Sequence, residues 1–198
     1  MCGRYTLSCG GEAGLREELP FDAFSETRLE LRPRYNVAPG QDNPVVTFDG
    51  ERAELRNARW GFERGTGGLL VNARSETASQ SERFGNAYAR GRCLVPADGF
   101  FEWRREGGLR QPYLFRPEGG GLLLMAGLLE DDRYVVLTCS ATGAAADIHD
   151  RMPVQLRAED AQRWLVAGAL GEPIALTKTR VSPHVNRIDH DDPDCIKP

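Results

Sequence analysis

The second residue of this 198-residue chain is a cysteine, in the opening Met1-Cys2-Gly3-Arg4-Tyr5. If Met1 is removed, Cys2 carries a free α-amine and a thiol on adjacent carbons. The amine titrates near ~7.8 and the thiol near ~8.5, so both are partly reactive at neutral pH. An aldehyde meeting this pair can form a Schiff base with the amine and then close onto sulfur as a thiazolidine. The plain alternative is a surface or buried thiol with no role, because cysteine reactivity depends on its surroundings.

Four further stretches carry side chains that are odd for a simple core. In Val71-Asn72-Ala73-Arg74-Ser75-Glu76 a period of two puts Asn72, Arg74 and Glu76 on one strand face. These face a polar ligand, or water with an internal ion pair. In Pro96-Ala97-Asp98-Gly99-Phe100-Phe101-Glu102-Trp103 a carboxylate stands among aromatics. Turned into an apolar cleft, Glu102 would have a raised pKa suited to acid–base work. At the solvent end of an edge strand it would be an ordinary surface carboxylate. Ile148-His149-Asp150-Arg151-Met152-Pro153 compresses a proton-shuttle candidate, His149, and an anion-binding candidate, Arg151, ahead of a strand. A satisfied structural histidine is the alternative. Arg59-Trp60-Gly61-Phe62 sets a cation beside a large ring. Trp60 and Trp103 could stack unpaired bases while Arg4, Arg74 and Arg151 grip phosphates, or the tryptophans could be core.

The elements that must position these groups are mostly strands. PVVTFDG at 44–50 and the alternation through Arg52–Trp60 predict a hairpin turning at Asp49-Gly50. A glycine-rich loop leads into a strand over LLVNAR, and a helix is expected from Ser75, as N-cap, to Tyr88. Strands are expected at 92–96, 99–104, 112–116, 122–129 and 133–140. A helix is expected over Ala158–Ala167 with Trp164 and Leu165 inward, and short helices at 11–19 and 144–149. The pattern predicts a single α+β domain over 1–198, a mostly antiparallel, barrel-like sheet with a few flanking helices. Residues 187–198 read as a loose tail.

Composition narrows the function classes. Hydrophobic residues at 40% and charged residues at 27% fit a soluble globular chain. No apolar run approaches the ~20 residues of a membrane span, and the start lacks a secretory h-region, so a cytoplasmic protein is expected. The five cysteines are scattered without a C-x-x-C, and no histidine lies at zinc-finger spacing from them, which argues against structural zinc and a disulfide framework. Cys93 and Cys139 fall in apolar runs and read as buried small hydrophobes. No metal or other cofactor is expected. A net charge of −4 argues against a broad nucleic-acid-coating surface. Only Lys178 and Lys197 among the 25 basic residues are lysines, a bias that a GC-rich genome would produce without function.

Taken together, MCGRYT, RYNVAP (34–39), RWGF, NARSET, PADGFFEW and HDRMPV stand in the order and at intervals similar to those of the SOS-response-associated peptidase (SRAP) family. The chain resembles that family from Met1 to about Asn186. The resemblance implies a monomeric sensor of abasic sites in single-stranded DNA, associated with the bacterial nucleoid once crosslinked, that serves DNA repair and the SOS response. It implies self-removal of Met1, covalent crosslinking through Cys2 and Schiff-base chemistry of the AP-lyase type. By motif, Asn72 orients the amine and sugar, Glu102 transfers protons and His149 assists. Arg4, Arg74 and Arg151 contact phosphate or sugar, and Trp60 and Trp103 line the DNA groove. Phe101 stands where family members often have Tyr, and Phe62 where Leu is common.

Three rival readings differ in their chemistry. A glutamine amidotransferase with an N-terminal cysteine would use the amine as base for its own thiol, but the HNG-type and TR-containing motifs of that class are missing. A non-covalent module for single-stranded or modified DNA would bind in a salt-sensitive way and leave no adduct. A general peptidase is suggested only by the family's name.

Overall fold

The computed structural model describes residues 2–26, 28–65 and 67–198. Met1, on which the question of a processed or amine-blocked terminus turns, lies outside them.

Five strands close into a ring: Arg133–Ser140, Ala53–Trp60, Asp42–Phe48, Arg92–Ala97 and Leu123–Glu130, the last pairing back onto the first. Antiparallel pairs dominate. Arg133–Ser140 also takes two parallel partners, Ala53–Trp60 and the short strand Asn72–Arg74. The two long apolar strands Leu123–Glu130 and Arg133–Ser140 are almost wholly buried, and Val45 on one face of the sheet and Val46, Leu55 and Leu94 on the other are fully buried with them. The expected barrel-like α+β architecture is what the chain forms.

A second sheet of five strands runs in the order Leu176–Arg180, Leu109–Pro117, Gly99–Glu106, Tyr5–Leu7 and Arg34–Val37. The chain passes from the barrel to this sheet at Asp98-Gly99. Asp98 Oδ2 accepts from the Ser8 amide at 2.6 Å and the Ser8 hydroxyl at 2.7 Å, which ties down the N-terminal strand. Gly99 is required here by close approach: a Cβ would lie 2.3 Å from the Phe115 carbonyl oxygen. PADGF is thus a hinge between sheets that aims the following strand, with Glu102, at the N-terminus.

The hairpin at 42–60 forms as its sequence predicts, with Asp49 Oδ1 accepting from the Glu51 and Arg52 amides. The helix Ala158–Ala167 forms with Trp164 and Leu165 buried, and short helices occupy Gly11–Glu18 and Gly143–Ala146. Three expectations need correction. The helix expected from Ser75 to Tyr88 is two short helices, Ser75–Ala78 and Gly85–Arg90, and the cap position of the first is Arg74 rather than Ser75. Ser81 Oγ accepts from the Arg83 and Phe84 amides, an alternative to the helical ladder that breaks the segment. Cys93 is buried, but Cys139 is only partly so.

The third correction concerns residues 187–198, which are packed rather than loose. Asp191 accepts from the Tyr35 and Asn36 amides and pairs with Arg34. Cys195 is fully buried, and the Ser182 amide donates to the Lys197 carbonyl. Among the described residues no helix is long and apolar enough to cross a membrane.

Candidate functional site

Cys2, Asn72, Glu102 and His149 come from four separate segments of the chain and lie close together, Asn72 bonded to Cys2 and Glu102 near both Cys2 and His149. Asn72 opens the short strand laid parallel to Arg133–Ser140. From there its Nδ2 donates to the Cys2 carbonyl at 2.8 Å. Its Oδ1 is buried and has no hydrogen-bond partner among the described residues. Such an atom is costly to leave unpaired, and so points to a missing polar partner.

Glu102 lies on the strand Gly99–Glu106 and is only 5% exposed. The surface alternative for this residue is therefore excluded. Burial pushes its carboxyl above the usual range, while the positive charge that His149 can carry acts in the opposite sense. The Cys2 thiol is fully buried. Burial first, and the neighbouring Glu102 charge second, push its titration well above the ordinary thiol range. This corrects the solution-value expectation: in this arrangement the sulfur is a neutral thiol at pH 7 and needs a base to react.

His149 joins Glu102, Gly3, Arg4, Trp103, Arg110 and Asn186 around a cleft of about 340 Å³. Two contacts compete for its Nδ1. The Arg151 amide donates to it at 2.9 Å, and Asp150 Oδ1 lies 2.7 Å away. The backbone donor is fixed, whereas the Asp150 side chain is largely exposed and can turn to water, so the Arg151 amide governs. Nδ1 is then the acceptor, and the ring proton of neutral His149 sits on Nε2.

The arginines divide by their commitments. Arg4 Nη1 donates to Asn36 Oδ1 at 2.6 Å and the Val185 carbonyl at 2.9 Å. Its guanidinium lies 5.6 Å from the Trp103 ring centroid, with Arg110 at 5.4 Å from the same ring. Arg74 is exposed and makes no ion pair among the described residues. Arg151 does not present a free cation. It grips Glu76 with two prongs at 2.6 and 2.8 Å and donates to the Thr138 carbonyl. The ion pair left open within NARSET thus runs from Glu76 to HDRMPV, and it holds the His149 segment against Asn72.

The two tryptophans also separate. Trp103 borders the cleft and is pinned by Nε1 donating to Asn186 Oδ1 at 2.6 Å. Trp60 is corrected from groove lining to core. It is fully buried, donates to the Val71 carbonyl at 2.9 Å and packs against Tyr5 and Tyr134. No base can reach it without opening the barrel.

Sequence reasoning missed three participants. Asn36 accepts from Arg4 and donates to the Val185, Arg187 and His190 carbonyls, so the RYNVAP motif locks the C-terminal segment beside the cleft. Asn186 bridges Trp103 and the Arg110 carbonyl, and Arg110 flanks the ring. Only tertiary contact reveals Arg110 and Asn186; the recurrence of Asn36 inside a recognised motif was the one available signal.

Comparison with known proteins decides the family. The model for "SOS response associated peptidase (SRAP)" matches residues 1–188. The chain belongs to the SRAP family. Among its SRAP relatives, the "Abasic site processing protein" YoqW of Bacillus subtilis is 33% identical over 181 residues, covering 83% of this chain and 80% of that protein. YedK of Escherichia coli, described by the same phrase, is 32% identical over 182 residues, covering 83% of this chain and 79% of YedK. The chicken protein HMCES, again an "Abasic site processing protein", is 28% identical across 100% of this chain and 78% of its own length. A crystal structure of a phage-related protein from Bordetella bronchiseptica superposes on this SRAP chain with a TM-score of 0.72 at 29% identity. That match covers 91% of this chain and 94% of the other.

Proposed function

We propose that this SRAP protein senses abasic sites in single-stranded DNA and captures them covalently as a thiazolidine through Cys2, after removing its own Met1. The observation that carries the reading is that Glu102 and His149 line a cleft with Arg4, Trp103 and Arg110, while the buried Cys2, held by Asn72, lies close to Glu102. An abasic site has no base to extrude, so the sugar aldehyde is available without the usual flipping cost.

The residues divide the work. With Met1 gone, the Cys2 amine attacks C1′ of the ring-opened sugar. Glu102, whose burial favours its acid form, gives a proton to the leaving hydroxyl as the protonated imine forms and water departs. The Glu102 carboxylate then takes the thiol proton that burial otherwise retains. Sulfur adds to the carbon of this protonated imine, the C=N electron pair passes to nitrogen, and the ring nitrogen ends neutral with the one proton it kept. The net change is aldehyde plus aminothiol to thiazolidine plus water. Asn72 fixes the Cys2 backbone and offers Oδ1 to the amine or the sugar hydroxyl. His149 presents Nε2–H to the sugar. Arg74 and Arg4 contact phosphate, and Trp103 carries a base. Holding amine, thiol and aldehyde together supplies a large effective molarity, the main catalytic device.

The test mixes protein confirmed by mass spectrometry to lack Met1 with an oligonucleotide bearing one abasic site, then runs a denaturing gel. A shifted band that vanishes in Cys2→Ala is expected. Salt-sensitive binding with no band surviving denaturation would overturn the covalent reading and leave a non-covalent binding module.

A further inference from the structure

Behind the cleft wall, two one-turn 3₁₀ helices, Pro183–Asn186 and Pro193–Ile196, bring together an imidazole, a carboxylate and a thiol. His184 Nε2 lies 2.9 Å from Asp192 Oδ2, and these atoms and Cys195 Sγ all fall within 4.8 Å of one another. Sequence spacing concealed the group, because it contains neither a C-x-x-C pair nor a helical histidine pair.

The geometry of each member is fixed from outside. Stacking on His190, with ring centroids 3.8 Å apart, orients the His184 ring, and His190 Nδ1 closes the loop onto the His184 carbonyl. Asp192 Oδ1 accepts from the Asp194 amide, which leaves Oδ2 turned to the histidine. Cys195 is fully buried in an apolar cluster with Phe101, Leu114, Val181 and Val185, and among the described residues its Sγ makes one hydrogen bond, donated to the His190 carbonyl at 3.5 Å. Three donors of different softness held by second contacts are what a borderline-soft divalent cation needs.

We propose that His184, Asp192 and Cys195 form a zinc-binding site, with water in the fourth position. Bonds of about 2.0–2.3 Å to N, O and S put tetrahedral ligand atoms about 3.3–3.8 Å apart, so side-chain movement of about 1 Å closes the site. The Cys195 proton leaves to solvent on coordination. Thiolate and imidazole select zinc over magnesium or calcium, which take oxygen ligands. The site would clamp the segment whose Val185 carbonyl holds Arg4 and whose Asn186 holds Trp103, and so brace the cleft wall from behind. It is independent of the crosslinking chemistry.

The probe is zinc alone, titrated against a chromophoric chelator into full-length protein stripped of metal, in a background where Cys2, Cys9 and Cys139 are each replaced by Ser so that no other amine-bearing or partly exposed thiol competes. One zinc per chain is expected. Affinity should fall by at least about a hundredfold in both Cys195→Ser and Asp192→Asn. Cobalt substitution should give a thiolate charge-transfer band that Cys195→Ser abolishes. Because Cys195 is buried, His184→Gln serves as a surface-side variant, and near-ultraviolet circular dichroism confirms folding of each. No stoichiometric binding in the parent protein, or less than about a tenfold change in any folded variant, overturns the site.

Discussion

Asn72 donates to the carbonyl oxygen of Cys2 at 2.8 Å, a bond between residues 70 positions apart in sequence. It makes the strand laid against Arg133–Ser140 the register mark for the N-terminus. Whatever Cys2 does chemically, its position is set by an amide on the barrel rather than by the flexibility of a chain end.

Asn72→Ala should therefore act on rate more than on stability. Loss of one hydrogen bond costs about 1 kcal/mol of folding free energy. Freeing the Cys2 backbone by an ångström costs about a hundredfold in adduct formation. Single-turnover gel kinetics and a thermal melt separate the two. An unchanged rate in the folded variant would show that Asn72 does not position Cys2.

Glu102 carries a pH signature. Its carboxyl titrates above the ordinary ~4.3 because it is buried, so the folded state holds its proton where the unfolded chain has lost it. Stability from this group is full below ~4.3 and declines as pH rises toward the raised value. Glu102→Gln should remove that decline and slow adduct formation by about 10²–10⁴-fold. Urea denaturation across pH measures the first effect, and superimposable wild-type and variant profiles would refute the assignment.

Glu76 shows the opposite sign. The two-pronged bond from Arg151 holds its carboxyl down to about 2, so its contribution is present above ~4.3 and lost as pH falls toward 2. Glu76 is half-exposed, so Glu76→Gln should cost no more than about 1 kcal/mol at neutral pH and nothing near pH 2. Acid titration of the melting temperature checks this. An equal deficit at both ends would place the effect in packing rather than in the ion pair.

The tryptophans show how much was legible in sequence. Barrel strands, the 42–60 hairpin and the helix with Trp164 inward follow from alternation and helical period, because burial imposes those periods. Trp60 and Trp103 have no such local signature. Each sits beside charged neighbours, and only the closure of the ring puts Trp60 between Tyr5 and Tyr134 while the Asp98-Gly99 crossing leaves Trp103 at a cleft. Arg151 reads as a free cation in sequence for the same reason: its partner Glu76 lies 75 residues away. The packed C-terminus reads as loose in sequence because Asp191 is anchored by Arg34, Tyr35 and Asn36, and Cys195 by apolar residues as distant as Phe101 and Leu114, not by any local hydrophobic period.

That separation predicts opposite phenotypes. Trp60→Ala should destabilise the fold by about 3–5 kcal/mol. Trp103→Ala should melt near the parent temperature but weaken single-stranded DNA binding by about 1–3 kcal/mol for a stacked base. Chemical denaturation and fluorescence anisotropy give the two numbers. Normal DNA affinity in Trp103→Ala would remove it from the interface.

Cys2→Ser tests whether amine and thiol act in sequence. The variant keeps the α-amine once Met1 is gone, so it can still condense with the sugar aldehyde and lose water. The buried Glu102 remains to protonate the leaving hydroxyl. What it lacks is a nucleophile that traps the imine as a durable ring, so its adduct should hydrolyse on denaturation. Borohydride added before denaturation reduces the imine to a secondary amine and should restore the shifted band, with a mass increase locating the link on residue 2. A borohydride-dependent band in Cys2→Ser beside a borohydride-independent one in wild type places the amine before the sulfur. No band in either condition from processed protein would mean that the thiol attacks first, and Glu102 would then be the base for sulfur rather than the acid for water.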